Sequence, residues 1–264
     1  MNELESLRGQ VALITGGSRG VGKGVAQELG GLGMTVYVSG RTVARAELGE
    51  GCVPVVCDHT DDRQVEGLVE RIVAERGRID LLVNNVWGGY ERMIDNGAFT
   101  WGLPFWRQPL WRWDAMFAAG VRAHYVASAL VARHMVERRR GLIVNVSFWA
   151  AQKHVGNVPY GVSKAATDKL TADTAHELRE HGVAVVSLYP GLVRTEKVME
   201  AAAYLDLGNS ESPRFVGRAV AALAADSGVM ARSGSVVIAA SCARDYGFAD
   251  VDGKQPVPLT LAQI

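Results

Sequence analysis

Short apolar, β-branched runs alternate with helical stretches along most of this chain. Helical periodicity follows the first run in GVGKGVAQELGGLG and recurs at residues 61–77, where Val65, Leu68, Val69 and Ile72 share one face. Seven runs are predicted strands: QVALIT, MTVYVSG, CVPVVCD, IDLLVNN, GLIVNVS, VAVVSLYP and SVVIAA. Continuously apolar strands are typical of parallel sheets covered on both faces. The pattern predicts an α/β fold, a doubly wound parallel sheet of about seven strands with helices on both faces.

Three later helices are predicted at residues 114–140, 158–181 and 212–225. Pro159 and Pro213 suit the first turns of two of them, and Gly182 suits the end of the middle one. Residues 87–113 interrupt the alternation of strands and helices with glycines, prolines and aromatics. No internal repeat or low-complexity linker divides the chain. We therefore expect residues 1–264 to form a single domain with a loop insertion at about 87–113.

Composition and charge exclude several classes of function. Hydrophobic residues make up 48% and charged residues 21%, and Lys plus Arg and Asp plus Glu both total 28. A net charge of zero gives no field that would attract nucleic acid or an anionic membrane. We find neither a signal peptide nor an apolar run near the roughly 20 residues that span a bilayer. Partners are expected to be small molecules.

The cysteine and histidine patterns predict neither disulfides nor a metal site. Cys52, Cys57 and Cys242 are scattered and lack CxxC spacing. The segment HELREH at 176–181 places its histidines five apart, which does not put them on one helical face as in HExxH. We expect no metal and a reducing, cytoplasmic location.

A glycine-rich turn joins the first strand to the first helix. It contains Gly16, Ser18, Arg19, Gly20, Val21 and Gly22. Glycines at such a turn allow the backbone to approach a pyrophosphate, and the helix N-terminus faces the anion. A purely structural turn would look similar, but the position between strand and helix favours a Rossmann-type dinucleotide site. Its spacing is GxxxGxG rather than the commoner GxGxxG.

Two arginines favour NADP(H) over NAD(H). NAD-selective folds place an acid about 20 positions beyond the turn, on the ribose 2′-hydroxyl. Here the second strand ends in Ser39, Gly40 and Arg41, without an acid. A guanidinium binds a 2′-phosphate bidentately, and Arg19 supplies a second cation. Either arginine alone is equally well explained as a solvated surface residue.

Candidate catalytic residues follow the fifth strand. Tyr160 and Lys164 lie four apart near a helix start and share a face, and Ser147 ends the strand before them. A tyrosine acting as general acid or base near neutral pH needs its pKa lowered by roughly 3 units. A lysine ammonium and an oxidised nicotinamide together would lower it. YxxxK alone is a weak pattern, but its context here points to proton transfer.

With these motifs, the chain resembles the short-chain dehydrogenase/reductase family over nearly its whole length. The matching segments are TGGSRGVG, Asp58, NNV, Ser147, YGVSK and PGLVRT at 190–195. NVPYGVSKAATDKLTADTAHELREHG and DVDGK are similar to the subgroup of dehydrogenase/reductase family member 1. The resemblance implies a dimer or tetramer built on helices 114–140 and 158–181.

The resemblance also implies a role for each matching residue. Tyr160 would exchange the proton, Lys164 would lower the tyrosine pKa and bind the nicotinamide ribose, and Ser147 would hold the substrate oxygen. The implied cofactor contacts are Asp58 and His59 at the adenine, Asn85 near the ribose, Val193 and Thr195 at the carboxamide, and Pro190 and Gly191 in the same motif.

Two departures from the family pattern stand out. The NNAG motif reads Asn84, Asn85, Val86, Trp87 here, which crowds the cofactor side of the pocket. The family's fourth catalytic residue, an Asn whose backbone holds a water linked to the lysine, falls at Gly120. We expect the missing side chain to leave room for a second water or a substrate group.

The sequence therefore predicts an NADP(H)-dependent carbonyl reductase or alcohol dehydrogenase. Aromatics concentrated in 87–113 suit a hydrophobic substrate, although they would equally suit a loop packed on its own side chains or on a second subunit. The alternative function is a catalytically weakened NADP-binding scaffold or sensor, motivated by Gly120. An enoyl reductase fits less well, because that family spaces its Tyr and Lys more widely.

Overall fold

A single parallel sheet organises the chain, which this computed structural model describes over residues 3–95 and 97–264. Its seven strands follow the order β3-β2-β1-β4-β7-β8-β9. They are β1 (Val11–Thr15), β2 (Thr35–Gly40), β3 (Cys52–Val56), β4 (Leu81–Asn84), β7 (Gly141–Val146), β8 (Val183–Tyr189) and β9 (Val236–Ile238). The insertion adds a small antiparallel pair, β5 (Ile94–Asp95) and β6 (Ala98–Phe99). The predicted doubly wound α/β fold is confirmed.

Helices cover both faces of the sheet. They are α1 (Gly20–Gly31), α2 (Asp62–Arg76), α3 (Leu110–Ala115), α4 (Ala123–Arg138), α5 (Val158–Leu178), α6 (Glu196–Glu200), α7 (Pro213–Ala225) and α8 (Ala239–Tyr246). One core packs α1, α7 and α8 against the sheet, and the other packs α2, α4 and α5 on the opposite face. Burial on both faces explains why the strands are continuously apolar.

Local signals in the sequence set several helix ends. The side chain of Asp61 accepts a hydrogen bond from the Arg63 amide at 3.0 Å and caps α2, which ends at Gly77 with φ of 72°. Asn157 caps α5 in the same way, accepting from the Tyr160 amide at 3.0 Å. The catalytic candidates Tyr160 and Lys164 therefore lie in the first two turns of a firmly started helix.

The helix predicted at 114–140 differs from the prediction in where it begins and in its regularity. Helical structure begins earlier, at Leu110, and α3 and α4 are joined by a π-helical segment, Met116–Arg122. The hydrogen bonds of a π-helix span one residue more than those of an α-helix, and such segments frequently occur at functional sites. At the sheet edge, SVVIAA is a strand only to Ile238, and its last two alanines start α8.

Within the described residues, the combined helix Leu110–Arg138 is long and apolar enough to span a membrane, by length and composition only. Its residues Ala127, Val131 and Met135 are fully buried in the core between α2 and the sheet. One face of this helix therefore contributes to the core.

The strand order reverses beside β1, whose neighbours are β2 and β4. Open α/β sheets bind ligands at the carboxyl ends of strands at such a switch point. Thr15, Gly40, Asn84 and Ser147 mark those ends, so the predicted cofactor and catalytic residues meet at one edge.

Candidate active site

The glycine-rich turn packs closely against the end of β4. Gly16 has φ of 67°, and a Cβ there would lie 2.6 Å from the Val86 Cα. Asn85 donates from Nδ2 to the Gly16 carbonyl at 2.9 Å, while its amide donates to the Thr15 hydroxyl at 3.1 Å. Val21 and Gly22 lie in the first turn of α1, with Gly22 against the Asn85 side chain. The turn and Asn85 thus form one rigid unit beside the N-terminus of α1.

A carboxylate occupies the N-terminal end of α1. The Gly20 amide donates to Oε2 of Glu196 at 2.9 Å. Thr195, which precedes this acid, lies against Gly20 and caps α6 by accepting from the Val198 amide at 3.3 Å. Helix N-termini attract anions, so the site already holds a negatively charged oxygen of this chain.

Cations and small residues surround the end of β2. The Arg41 side chain is 67% exposed and lies 3.7 Å from a carboxylate oxygen of Glu91. Arg19 is exposed as well, and the Ser18 hydroxyl lies against Gly40. Both predicted 2′-phosphate ligands therefore reach solvent at the same edge.

Asp58 and His59 follow β3 beside these cations. Hydrogen bonds from Thr60 lower the pKa of Asp58, and nearby Arg41 adds to the effect. His59 is buried, which lowers its pKa to about 4, and its Nε2 pairs with the Ser39 hydroxyl at 2.8 Å. A neutral histidine and an ionised aspartate thus border the predicted adenine position.

Ser147, Tyr160 and Lys164 are buried together at the ends of β7 and α5. Their exposures are 2%, 7% and 5%. The Ser147 hydroxyl lies 3.4 Å from the Lys164 carbonyl, and Lys164 donates from Nζ to the Val146 carbonyl at 3.1 Å. The tertiary structure therefore brings together the three residues that the spacing singled out.

Burial dominates the electrostatics of this cluster. It lowers the pKa of Lys164 to about 7 and raises that of Tyr160 well above its ordinary value. The Tyr90 ring packs beside that of Tyr160, with centroids 6.1 Å apart, and burial raises the pKa of Tyr90 to about 12. Both shifts favour the neutral form of the phenol.

Aromatic rings enclose the Tyr160 side chain. Trp101, Trp87, Tyr90 and Phe148 place their ring centroids 5.4, 5.9, 6.1 and 6.2 Å from that of Tyr160. Three of the four belong to residues 87–113. Part of the insertion thus forms an apolar wall over Ser147, Tyr160 and Lys164, in line with the interpretation that it borders a pocket rather than packing only on itself.

The other part of the insertion packs on itself around Arg112. This side chain is fully buried, between the rings of Trp101 and Trp111, with its guanidinium carbon 5.6 and 5.1 Å from their centroids. It donates to the Thr100 hydroxyl at 2.8 Å, to the Thr100 and Arg92 carbonyls at 3.0 Å each, and to the Gln108 side chain. Sequence reasoning missed Arg112, because an arginine among aromatics also suits a solvated loop.

We expect Arg112→Met to destabilise the protein by about 3 kcal/mol, because it leaves several buried acceptors unpaired. For a chain of this size, that corresponds to a fall in Tm of roughly 6–12 °C. Thermal unfolding followed by circular dichroism measures it. Arg107→Met, at an exposed position of the same insertion, is the control and should shift Tm only slightly. Equal shifts for the two variants would contradict a structural role of Arg112.

Gly120 lies within the π-helical segment, against the indole of Trp87. A Cβ at Gly120 would lie 2.5 and 2.8 Å from two indole carbons. The expectation that the missing side chain leaves room for a second water or a substrate group is therefore wrong. The two departures from the family pattern compensate each other, since the large residue fills the space that the small one opens.

The segment PGLVRT crosses beside this cluster and is tied to the C-terminal tail. Val193 bridges to Glu211, and Gly191 packs on the side chain of that glutamate. Arg194 pairs with the buried carboxylate of Asp250 at 3.1 Å. Pro190 directly follows β8. The tail segment DVDGK thereby fixes the loop that places Val193 and Thr195 near α1.

Comparisons with known proteins agree with this geometry. A family model described as short chain dehydrogenase matches residues 10–205. Dehydrogenase/reductase SDR family member 1 of Mus musculus is 43% identical over 270 residues, covering 94% of this chain and 85% of the mouse protein. The Homo sapiens protein of the same name is 41% identical over the same shares.

More distant matches include enzymes and solved structures. The 5-keto-D-gluconate 5-reductase of Escherichia coli (strain K12) is 34% identical over 207 residues, covering 74% of this chain and 76% of that enzyme. A metagenomic short-chain oxidoreductase in complex with NADP superposes with a TM-score of 0.69 at 28% identity, covering 88% of this chain and 97% of that one.

Proposed function

We propose, from the premise that this chain belongs to the short-chain dehydrogenase/reductase family, that it transfers hydride between NADP(H) and a hydrophobic carbonyl or alcohol. The family model and the relatives confirm the family and the subgroup predicted from the sequence, and the chain is an oxidoreductase of that family. The observation that supports the finer proposal is the joint burial of Ser147, Tyr160 and Lys164 below an aromatic wall.

The residues at the switch point fit a dinucleotide. The carboxylate of Glu196 on the Gly20 amide acts as a stand-in for a phosphate at the N-terminus of α1. Arg19 and Arg41 are exposed beside the glycine-rich turn, and Arg41 would exchange its ion pair with Glu91 for a 2′-phosphate. The oxidoreductase solved in complex with NADP is a further argument for the phosphorylated cofactor. Asp58 and His59 would border the adenine, and Asn85 the ribose.

When bound, the cofactor would supply or accept the hydride. In reduction, the Tyr160 hydroxyl donates a proton to the substrate oxygen, and in oxidation the phenolate accepts it. The Ser147 hydroxyl donates a hydrogen bond to the same oxygen. The Lys164 ammonium would bind the ribose of the cofactor and would favour the phenolate electrostatically.

Substrate preference follows from the aromatic wall. Trp101 and Phe148 present rings toward Tyr160, and an apolar substrate that packs on them excludes water from the reacting oxygen. The direct experiment is a panel of ketones, aldehydes, quinones and alcohols, followed through NADPH absorbance. Turnover that rises with the hydrophobic area of the substrate supports the proposal.

A second candidate is an NADP-binding scaffold or sensor with weakened turnover. Its support is the enclosure of Tyr160 by four aromatic rings, with the pKa of its buried hydroxyl raised well above the ordinary value. NADPH binding without oxidation across the whole panel would favour this candidate. Turnover of even one substrate that depends on Tyr160 would exclude it.

Glu196→Gln tests the anion site. Because the carboxylate would compete with the pyrophosphate for the Gly20 amide, its neutralisation should tighten NADPH binding about 2- to 5-fold, consistent with typical helix-terminus energies. Isothermal titration calorimetry measures the Kd. Glu200→Gln removes an acid from the same short helix that instead pairs with Lys197, and should leave the Kd unchanged. Weaker binding in Glu196→Gln would mean that the carboxylate supports the bound state.

We propose a homodimer or homotetramer in the cytoplasm. The expected interface helices expose apolar side chains, with Tyr125 of α4 57% exposed and Val162 of α5 41% exposed. All three cysteines are free, which suits a reducing compartment. Light scattering on the purified chain determines the oligomeric state.

A further inference from the structure

The backbone of residues 87–89 packs tightly against the segment that joins α3 to α4. A Cβ at Gly88 would lie 2.6 Å from the Ala115 carbonyl oxygen, and one at Gly89, where φ is 96°, would lie 2.8 Å from the Met116 side chain. Gly120 in turn receives the Trp87 ring. Close approach at three glycines therefore fixes both the path of this loop and the direction of its indole.

The indole of Trp87 covers the catalytic lysine. The Lys164 Nζ lies 3.6 Å from the ring centroid, a short distance for a cation over an aromatic face. The same ring meets Tyr160 edge-on, with centroids 5.9 Å apart and an interplanar angle of 86°. One side chain thus contacts both members of the YxxxK pair.

The buried ammonium has few other groups to replace its hydration. Nζ donates to the Val146 carbonyl at 3.1 Å. Its titratable neighbours are Asp168 and Tyr160 on α5 and His124 on α4. Burial lowers the pKa of His124 to about 3, so this neighbour is neutral. A buried charge must be stabilised by nearby groups that replace its hydration, and the Trp87 ring face is the largest such group beside Nζ.

We propose that Trp87 is a positioning residue, whose indole holds the Lys164 ammonium in place and which fits only because residue 120 is glycine. This inference deepens the proposed function, on which its catalytic consequence rests. Without the ring face, the charged form of Lys164 loses stabilisation, so its pKa should fall. Since the ammonium is lost as pH rises through that pKa, carbonyl reduction should lose activity at lower pH than in the wild type.

The test combines an NMR titration of the protein without cofactor and a pH profile of activity. Lysine labelled with 13C at Cε reports ionisation, and Lys164→Met assigns the Lys164 signal. We expect Trp87→Leu to lower the Lys164 midpoint by about one pH unit, whereas Trp87→Phe keeps an aromatic face and most of the effect. The alkaline limb of kcat/KM for reduction should move by a similar amount in Trp87→Leu.

Gly120→Ala provides an independent variant of the same contact. In this variant residue 87 is still tryptophan, but the added methyl group displaces its indole from Lys164. We therefore expect the Lys164 midpoint to fall as it does in Trp87→Leu. In the double variant Trp87→Leu, Gly120→Ala the midpoint should shift as much as in Trp87→Leu alone, because there is no longer an indole for the methyl group at position 120 to displace. Gly67→Ala, in α2 where an added Cβ meets nothing within 4 Å, is the control and should shift nothing.

The outcomes separate this inference from the proposed function. An unchanged Lys164 midpoint in Trp87→Leu, with only a lower Tm, would overturn the positioning role and leave Trp87 a packing residue. A shifted midpoint in a wild-type protein that reduces no substrate would support the contact while the proposed function fails. A shifted midpoint with an unshifted activity profile would overturn the role of the contact in reduction.

Discussion

Replacing Tyr160 by Phe is expected to lower the rate of NADPH-dependent carbonyl reduction by two to four orders of magnitude. Positioned proton transfer contributes about that much to enzymatic rates. The ring of Tyr160 packs among four aromatics, and the substitution preserves this packing while removing the hydroxyl. NADPH affinity should therefore remain within about twofold. Steady-state rates on an active substrate and calorimetric Kd values measure the two effects separately.

Tyr125→Phe is the matched control, since it removes a hydroxyl from a residue of α4 that is 57% exposed. Its rate should equal the wild-type rate. If Tyr160→Phe retains a tenth or more of the wild-type rate, the proton-transfer role is wrong. Loss of NADPH binding together with turnover would indicate instead a damaged fold, which thermal unfolding would reveal.

Arg41→Asp is expected to reverse the cofactor preference from NADPH to NADH. A charge-assisted hydrogen bond to the 2′-phosphate contributes roughly 1.5–3 kcal/mol, so its loss weakens NADPH binding about 10- to 150-fold. The new carboxylate, beside Asp58, repels the phosphate and can accept from the ribose 2′-hydroxyl of NADH. Kd values for NADPH and NADH measured by calorimetry at one ionic strength give the ratio.

Arg45→Asp makes the same charge change at a nearby exposed position and serves as the control. It should alter the NADPH to NADH ratio only slightly, because charges at a distance are screened. Arg19→Ala should weaken NADPH alone, as a second ligand of the same phosphate. Equal affinities of the wild-type protein for both cofactors would refute the NADP assignment.

The sequence by itself determined the sheet, the glycine-rich turn and the catalytic candidates. Continuous apolar runs need burial on both faces, which leaves a parallel sheet as the solution. Caps such as Asn157 and Asp61 act within a few residues, so the starts of α5 and α2 are encoded locally. Tyr160 and Lys164 share a face because of helix geometry alone. These features depend on residues that are close in sequence, so they can be predicted from the sequence pattern.

Only the tertiary structure decided what the remaining residues do. Trp87 and Gly120 each depart from the family pattern, and their complementarity exists only because the loop after β4 crosses the π-helical segment. Arg112 is buried because the insertion folds around it, and Glu196 reaches the Gly20 amide from a distant part of the chain. Packing and charge interactions of this kind depend on atoms that are close in space, and residue types along the chain do not specify that proximity.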